Sequence, residues 1–173
     1  MGGDTRWLDD DEQRTWRAFL TAQLLLTDRL ERQLQRDAGL PHAYYEILVR
    51  LSEAPDRTLR MNQLADSSLS SRSRLSHAVA RLEAAGWVRR RACDEDRRGA
   101  FADLTPAGMA KLEEAARGHV EAVRANLFDA LSRDQQRALR DIADTLVAHL
   151  SAAPVWPADG DGNGAIRDRT PQP

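Results

Sequence analysis

Arginine, serine and histidine side chains are concentrated between positions 71 and 81, and their chemistry is that of nucleic-acid recognition. An arginine fork can donate two hydrogen bonds to the O6 and N7 atoms of guanine, and a serine hydroxyl can contact either a base or a phosphate. The sequence does not distinguish the arginine that would read a base. Arg81, further along, is expected to meet a phosphate or to remain a charge on the helix surface. The candidate DNA-binding residues of this segment are Ser71, Arg72, Ser73, Arg74, Ser76, His77 and Arg81.

A second group of charges lies in a segment with the pattern of a β-hairpin. Its strands are predicted from Trp87 to Arg91 and from Phe101 to Leu104. Between Ser70 and Arg98 the chain holds eight arginines and four acidic residues, a net charge of +4, whereas the whole chain carries −2. Positive charge confined to one region favours a single docking face over a surface that binds nucleic acid non-specifically. The candidate DNA-binding residues at the hairpin tip are Asp96, Arg97 and Arg98.

A helix-turn-helix is expected to position the first group of side chains. One helix is predicted from Asn62 to Ser67, with a break at Ser68 to Ser70 and a second helix that begins at Ser71, a good N-cap. Units of this kind present the start of their second helix to the DNA major groove. The polar and basic residues of the second helix point away from its inward apolar face, which consists of Leu75, Ala78, Val79 and Leu82.

Long amphipathic helices are predicted on both sides of this unit. The first begins at Asp9 or Asp10 and ends at Gly39, and Pro41 suits the first turn of a second helix that stops near Ala54. Thr58 and Leu59 are expected to form a short strand. The apolar stripe of the first helix consists of Trp16, Leu20, Leu24, Thr27, Leu30 and Leu34.

Two further helices are predicted after the hairpin. Thr105 and Pro106 have the pattern of a helix start, and the apolar series assigned to that helix continues to Leu127 and Leu131. Ser132 begins a last helix, which carries apolar residues up to Leu150. The predicted fold is therefore mainly α with a small β-wing: a winged helix-turn-helix flanked by N- and C-terminal dimerisation helices.

The flanking helices carry more apolar surface than the winged unit can cover. Pairing them across a two-fold axis would bury the remainder, so the sequence predicts a homodimer. The second helices of the two helix-turn-helix units would then lie about one helical turn of DNA, roughly 34–36 Å, apart, as a palindromic operator requires.

Composition argues against several other classes of protein. Among the 173 residues no apolar run is long enough to span a bilayer, and acidic residues occupy the N-terminus where a signal peptide would be basic. A soluble cytoplasmic protein with no membrane partner is expected. The single Cys93 excludes a disulfide framework, and the four scattered histidines lack the spacing of metal ligands. Because no catalytic motif is present either, we predict no enzyme activity, no cofactor and no metal.

The arrangement resembles the MarR family of bacterial transcription regulators from about Asp9 to Leu150. The resemblance rests on three ordered segments: Arg81 to Val88, the tip Asp94 to Gly99, and Leu104 to Gly108. It implies a sequence-specific regulator of the repressing kind that binds a double-stranded pseudo-palindromic operator. It also implies that the Arg98 side chain enters the minor groove while the Asp96 carboxylate holds that side chain in place. The alternative is that both residues merely lie on a solvated turn.

The resemblance further implies release from DNA by a small aromatic or anionic effector in a cleft beside the dimer helices. The candidate effector-binding residues are Trp16, Tyr44, Tyr45 and His119, although aromatic residues at helical spacing are more often part of the core. Three alternatives remain open at this point: a ligand- or protein-binding module with a degenerate winged-helix fold, a redox-responsive regulator based on Cys93, and a constitutive regulator of another winged-helix family.

The sequence suggests four regions. They are an N-terminal dimerisation helix (9–38), a winged helix-turn-helix DNA-binding region (41–108), C-terminal dimerisation helices (109–151) and a disordered tail (152–173).

Overall fold

The computed structural model describes residues 5–67, 72–92 and 100–151. Within these ranges six α-helices surround a small antiparallel sheet, which confirms the predicted fold class. The helices are α1 (Asp10–Ala38), α2 (His42–Glu53), α3 (Met61–Ser67), α4 (Arg72–Ala84), α5 (Pro106–Asn126) and α6 (Arg133–Leu150), and the strands are β1 (Thr58–Arg60), β2 (Val88–Ala92) and β3 (Ala100–Leu104).

Local sequence signals set both ends of α1. The Asp9 carboxylate accepts hydrogen bonds from the backbone amides of Asp11 and Glu12, and the Glu12 side chain accepts one from the Asp9 amide, so the predicted capping box is present. At the other end Gly39 adopts φ 61°, a left-handed conformation that glycine reaches without steric cost. Both predicted boundaries are confirmed.

One hydrophobic core joins the winged unit to the flanking helices. Only the C-terminal end of the α1 stripe enters it, at Leu34, and α5 contributes Met109 and Leu112. The predicted inward face of α4 is confirmed, since all four of its apolar residues are buried. The core therefore fixes the helix-turn-helix against α2 and α5. Its fully buried large side chains are Leu34, Leu40, Leu48, Leu51, Leu64, Val79, Leu82, Val88 and Leu112.

The sheet has the strand order β1-β3-β2, and both pairings are antiparallel. The predicted strand at Thr58 is confirmed, whereas β2 begins at Val88 rather than at Trp87. The reason is that the Trp87 amide donates to the Leu82 carbonyl, and the Gly86 amide donates to the Glu83 carbonyl. These bonds, with Gly86 at φ 76°, form the Schellman motif that ends α4.

The prediction that the apolar series on α5 continues to Leu127 and Leu131 is wrong. Helix α5 ends at Asn126, and a single 3₁₀ turn, Phe128–Ala130, precedes α6. The Gln136 side-chain amide donates to the carbonyls of Phe128 and Leu131, which stabilises the turn. The capping box between Ser132 and Gln135, predicted from sequence, then starts α6.

Candidate nucleic-acid interface

Helix α4 presents its polar side chains on one exposed face. The buried Leu75, Ala78, Val79 and Leu82 hold the helix against the core, so the polar side chains on the opposite side point outward. The structure thereby brings together five of the residues predicted to bind DNA, and each of them is exposed: Ser73, Arg74, Ser76, His77 and Arg81.

The other predicted DNA-binding residues are not described to the same extent. Arg72 is the first residue of α4, but its side chain is not among those described, and Ser71 lies outside the described residues. The hairpin tip, with Asp96, Arg97 and Arg98, and Cys93 also lie outside the described residues. The tail from residue 152 onward also lies outside the described residues.

An ion pair connects the end of α4 to the hairpin. The Arg90 Nε donates to Glu83 Oε2 at 2.6 Å, and the Arg90 amide donates to Glu83 Oε1 at 3.1 Å. Hydrogen bonds from the Arg90 side chain and backbone hold the pKa of the Glu83 carboxyl below its usual value. This contact attaches β2 to the last turn of α4.

The outer face of the sheet carries a group of residues that sequence reasoning did not select. We call it the wing-sheet cluster, and its centre is the carboxylate of Asp103, a buried residue on β3. Arg91 Nε donates to Asp103 Oδ2 at 2.9 Å, Arg89 Nη2 donates to the same oxygen at 3.2 Å, and Thr58 Oγ1 donates to Asp103 Oδ1 at 3.0 Å. The cluster consists of Thr58, Arg60, Arg89, Arg91, Phe101 and Asp103.

The Asp103 carboxylate stays charged because its partners outweigh its burial. Burial by itself would raise the pKa of Asp103, but hydrogen bonds from Arg91, Thr58 and Arg89 lower it below the usual value. The period-two spacing of Arg89 with Arg91 and of Phe101 with Asp103 is the sequence signal for this cluster. The pairing between strands cannot be read from that signal alone.

Two of the predicted effector-binding residues meet between α2 and α5. The rings of Tyr45 and His119 are 4.5 Å apart between centroids, and Tyr45 is buried. Tyr44 is partly buried and packs against the core. Trp16 lies half-exposed on α1. It is 17 residues, or about 25 Å along the helix axis, from Gln33, the residue of α1 that contacts His119. The structure of one chain therefore does not bring Trp16 to the other three.

Two members of this group were missed by sequence reasoning. The His42 ring lies 5.7 Å from the His119 ring, and the side-chain oxygen of the buried Gln33 lies 3.4 Å from His119 Nδ1. Gln33 also donates to Asp37 Oδ2 at 3.1 Å. Because Gln33 and His119 are 86 positions apart, no local pattern connects them.

Burial perturbs both rings of the pair. It lowers the pKa of His119 to about 4, with a further contribution from the neighbouring His42. It raises the pKa of Tyr45 to about 12, and the negative charge of Glu53 acts in the same direction. Near pH 7 this site is therefore a neutral imidazole against a neutral phenol. Such a pair offers hydrogen-bonding groups and a flat apolar surface, the usual lining of a small-molecule site.

Nothing in the described ranges suggests a metal site or a membrane segment. No three His, Cys, Asp or Glu side chains among the described residues are grouped as a metal would need. The described helices are all too short or too polar to traverse a bilayer.

Comparison with known proteins agrees with this geometry. Residues 38–99 match the model of the MarR family. A MarR-family transcriptional regulator of Streptomyces coelicolor, Sco3205, solved in complex with DNA, is 52% identical to the chain with a TM-score of 0.81, and the match covers 85% of this chain and 96% of that one. The transcriptional regulator PecS of Dickeya dadantii is 29% identical over 73% of this chain and 76% of its own length.

A third relative was solved with a small molecule. NadR in complex with 4-hydroxyphenylacetate has a TM-score of 0.62 and is 25% identical, and the match covers 84% of this chain and 97% of that one. Sco3205 and PecS are transcription regulators, which confirms the expectation that the chain is a regulator rather than an enzyme.

Proposed function

The chain belongs to the MarR family of transcription regulators, and we propose that it acts as a homodimeric repressor whose operator binding is relieved by a small aromatic or anionic effector. The observation that carries this proposal is the exposed polar face of α4. The core holds α4 rigidly on its apolar side, so that Arg74 and its neighbours can enter a major groove without rearrangement of the fold.

The wing is proposed as the second contact with DNA. We assign Asp96, Arg97 and Arg98 to its tip, with Arg98 in the minor groove, where a narrow groove concentrates negative potential. Ser71 and Arg72 are assigned to the major-groove contact at the start of α4. The DNA-binding region thus extends over residues 41–108, between dimerisation helices at 9–38 and 109–151 and a tail at 152–173.

The exposed apolar side chains favour a homodimer. On α6 alone Ile142 is 58% exposed and Leu150 is 76% exposed, and on α1 Leu24 is 70% exposed. A monomeric protein rarely leaves so large an apolar surface in water. A second copy would cover both helices and place two α4 helices for a pseudo-palindromic operator. The large exposed apolar residues of α1, α5 and α6 are Trp16, Phe19, Leu20, Leu24, Leu25, Val120, Leu139, Ile142, Leu146, Val147 and Leu150.

The proposed effector site is the neutral pair of Tyr45 and His119, with Tyr44 beside it. An aromatic acid could stack on these rings, and the complex of NadR with 4-hydroxyphenylacetate supports this ligand class. Trp16 can join the site only from the partner subunit. A panel of phenolic acids should raise the Tm of the full chain, by an amount equivalent to about 2.7 kcal/mol when a ligand is present at 100 times its Kd. No thermal shift and no release from DNA with any of them would contradict this part of the proposal.

Operator binding by a homodimer is tested by selecting double-stranded DNA from a random-sequence pool with the full chain. The expected result is enrichment of one inverted repeat, with half-sites about one helical turn apart. Sedimentation equilibrium of the same sample should give a dimer, and Ile142→Glu should give monomers that no longer select the repeat. Selection of no sequence, or of an isolated half-site by a monomer, would overturn the proposal.

A further inference from the structure

The wing-sheet cluster carries more positive charge than its one carboxylate balances. The cluster holds three arginines and one carboxylate, so it has a net charge of +2, and two of the arginines, Arg89 and Arg91, donate to the carboxylate. Arg91 and Thr58 alone already donate to both oxygens of the Asp103 carboxylate. The additional guanidinium groups are accessible, since the side chain of Arg89 is 72% exposed and that of Arg91 is 50% exposed.

We propose that the wing-sheet cluster is a separate DNA contact surface, which binds the backbone phosphates on either side of the minor groove that the wing tip enters. This inference rests on the proposed function, because it requires the wing to approach DNA. It adds a surface distinct from α4 and from the tip, and it assigns phosphate recognition to Arg89 and Arg91.

The register of the strands places these arginines close to the end of the hairpin that the structure describes. Arg91 pairs with Phe101 next to the last described pair, Ala92 with Ala100. At about 3.3 Å per residue, Arg91 and Arg89 lie roughly 3 Å and 10 Å behind that pair. Two strands about 4.8 Å apart, with their side chains, are too wide for a minor groove of about 6 Å. The strands must therefore stop at the rim of the groove, where the phosphates are.

The arginines are held in place before any ligand arrives. Asp103 binds Arg91 through Nε and Arg89 through Nη2, and a guanidinium group has five N–H donors, so both retain capacity for a phosphate oxygen. The Phe101 ring makes two cation–π contacts. The Arg91 guanidinium is 4.8 Å and the Arg60 guanidinium 5.1 Å from the ring centroid. A side chain fixed in this way loses less conformational entropy on binding.

The experiment measures how the affinity of the full chain for its selected operator depends on salt. Each phosphate contact contributes about 0.9 to the slope of log K against log salt, so Arg89→Ala and Arg91→Ala should each reduce the slope by about 1. The loss of affinity should be about the same on operator and on scrambled DNA, because phosphates carry no sequence. On an operator trimmed at its flanks, wild type and variants should bind alike.

Arg32→Ala is the charge-matched control. Arg32 is on α1, its side chain is 75% exposed, and it pairs with Asp28. A slope for Arg89→Ala equal to that of Arg32→Ala would overturn the inference while the wild type still binds its operator. If the wild type selects no operator, the proposed function itself fails. Should Arg91→Ala unfold, the more exposed Arg89 still decides the matter through Arg89→Ala.

Discussion

The backbone of Gly108 lies so close to the carbonyl oxygen of Trp87 that a β-carbon at position 108 would overlap with it. The same carbonyl accepts a hydrogen bond from the Thr105 amide at 3.1 Å. Thr105 Oγ1 in turn caps α5 by accepting from the Gly108 amide at 3.0 Å, and it donates to the Gly86 carbonyl at 2.7 Å. The turn that ends α4 is thus attached to the start of α5, and so α4 is fixed to the flanking helix α5.

Gly108→Ala should destabilise the fold. The added methyl group must displace backbone rather than a flexible side chain, and overpacking of this kind costs about 1–3 kcal/mol. Urea denaturation followed by circular dichroism measures the change in the free energy of unfolding. Gly118→Ala is the control, because there the nearest atom is the end of the Gln33 side chain, at 3.1 Å. Equal stability of the two variants would show that the approach of Gly108 to Trp87 has no energetic importance.

Asp103→Asn should lower the free energy of unfolding by about 1.5–3 kcal/mol near pH 7, the usual value of a hydrogen bond to a charged group. Because the folded-state pKa of Asp103 is lowered, its contribution is complete above the unfolded-state value of 3.8 and disappears as the pH falls through the folded-state pKa. The difference between wild type and variant should therefore be constant at neutral pH and shrink below about pH 4.

Urea denaturation across that pH range measures this difference. Asp134→Asn is the control, since Asp134 is exposed and pairs only across one helical turn with Arg137, an interaction of about 0–1 kcal/mol. A difference between wild type and Asp103→Asn that persists unchanged in acid would mean that the charge of Asp103 is not what stabilises the sheet.

His119 should make the folded protein less stable in mild acid. The pKa of His119 is lowered to about 4 in the folded chain. In the unfolded chain this ring binds a proton below about pH 6.5, whereas in the folded chain it binds one only when the pH falls to about 4. Stability should fall by about 3 kcal/mol across this interval. The free energy of unfolding should depend less on pH in His119→Gln than in the wild type. His149→Gln is the control, because His149 lies on the exposed face of α6. A direct NMR titration of the His119 ring with a midpoint near pH 6.5 would contradict the burial argument.

The fold could be predicted from local sequence signals to a large extent. Capping residues such as Asp9 and Ser132 and the glycine at position 39 mark helix ends through contacts within a few residues, which a sequence displays directly. The wrong assignment of Leu131 to α5 arose because an apolar series continues across the break after Asn126. Spacing alone does not reveal a 3₁₀ turn that side-chain hydrogen bonds from Gln136 stabilise.

The candidate sites were less accessible to sequence reasoning. The exposed face of α4 follows from helical periodicity, and it was predicted in full for the described residues. The environments of Asp103 and His119 depend on partners 45 and 86 positions away, Thr58 and Gln33. Contacts at such separations are made by the packed core, and no periodic pattern encodes them.

The most direct test of the account compares operator with scrambled DNA for the double variant Arg72→Ala, Arg74→Ala, by fluorescence anisotropy at one fixed salt concentration. If α4 reads bases, the variant should lose about 1–3 kcal/mol of discrimination for each base contact removed, while Arg32→Ala retains the wild-type preference. Unchanged discrimination in the double variant, or an equal loss of affinity for both DNAs, would contradict the claim that this face of α4 reads the operator.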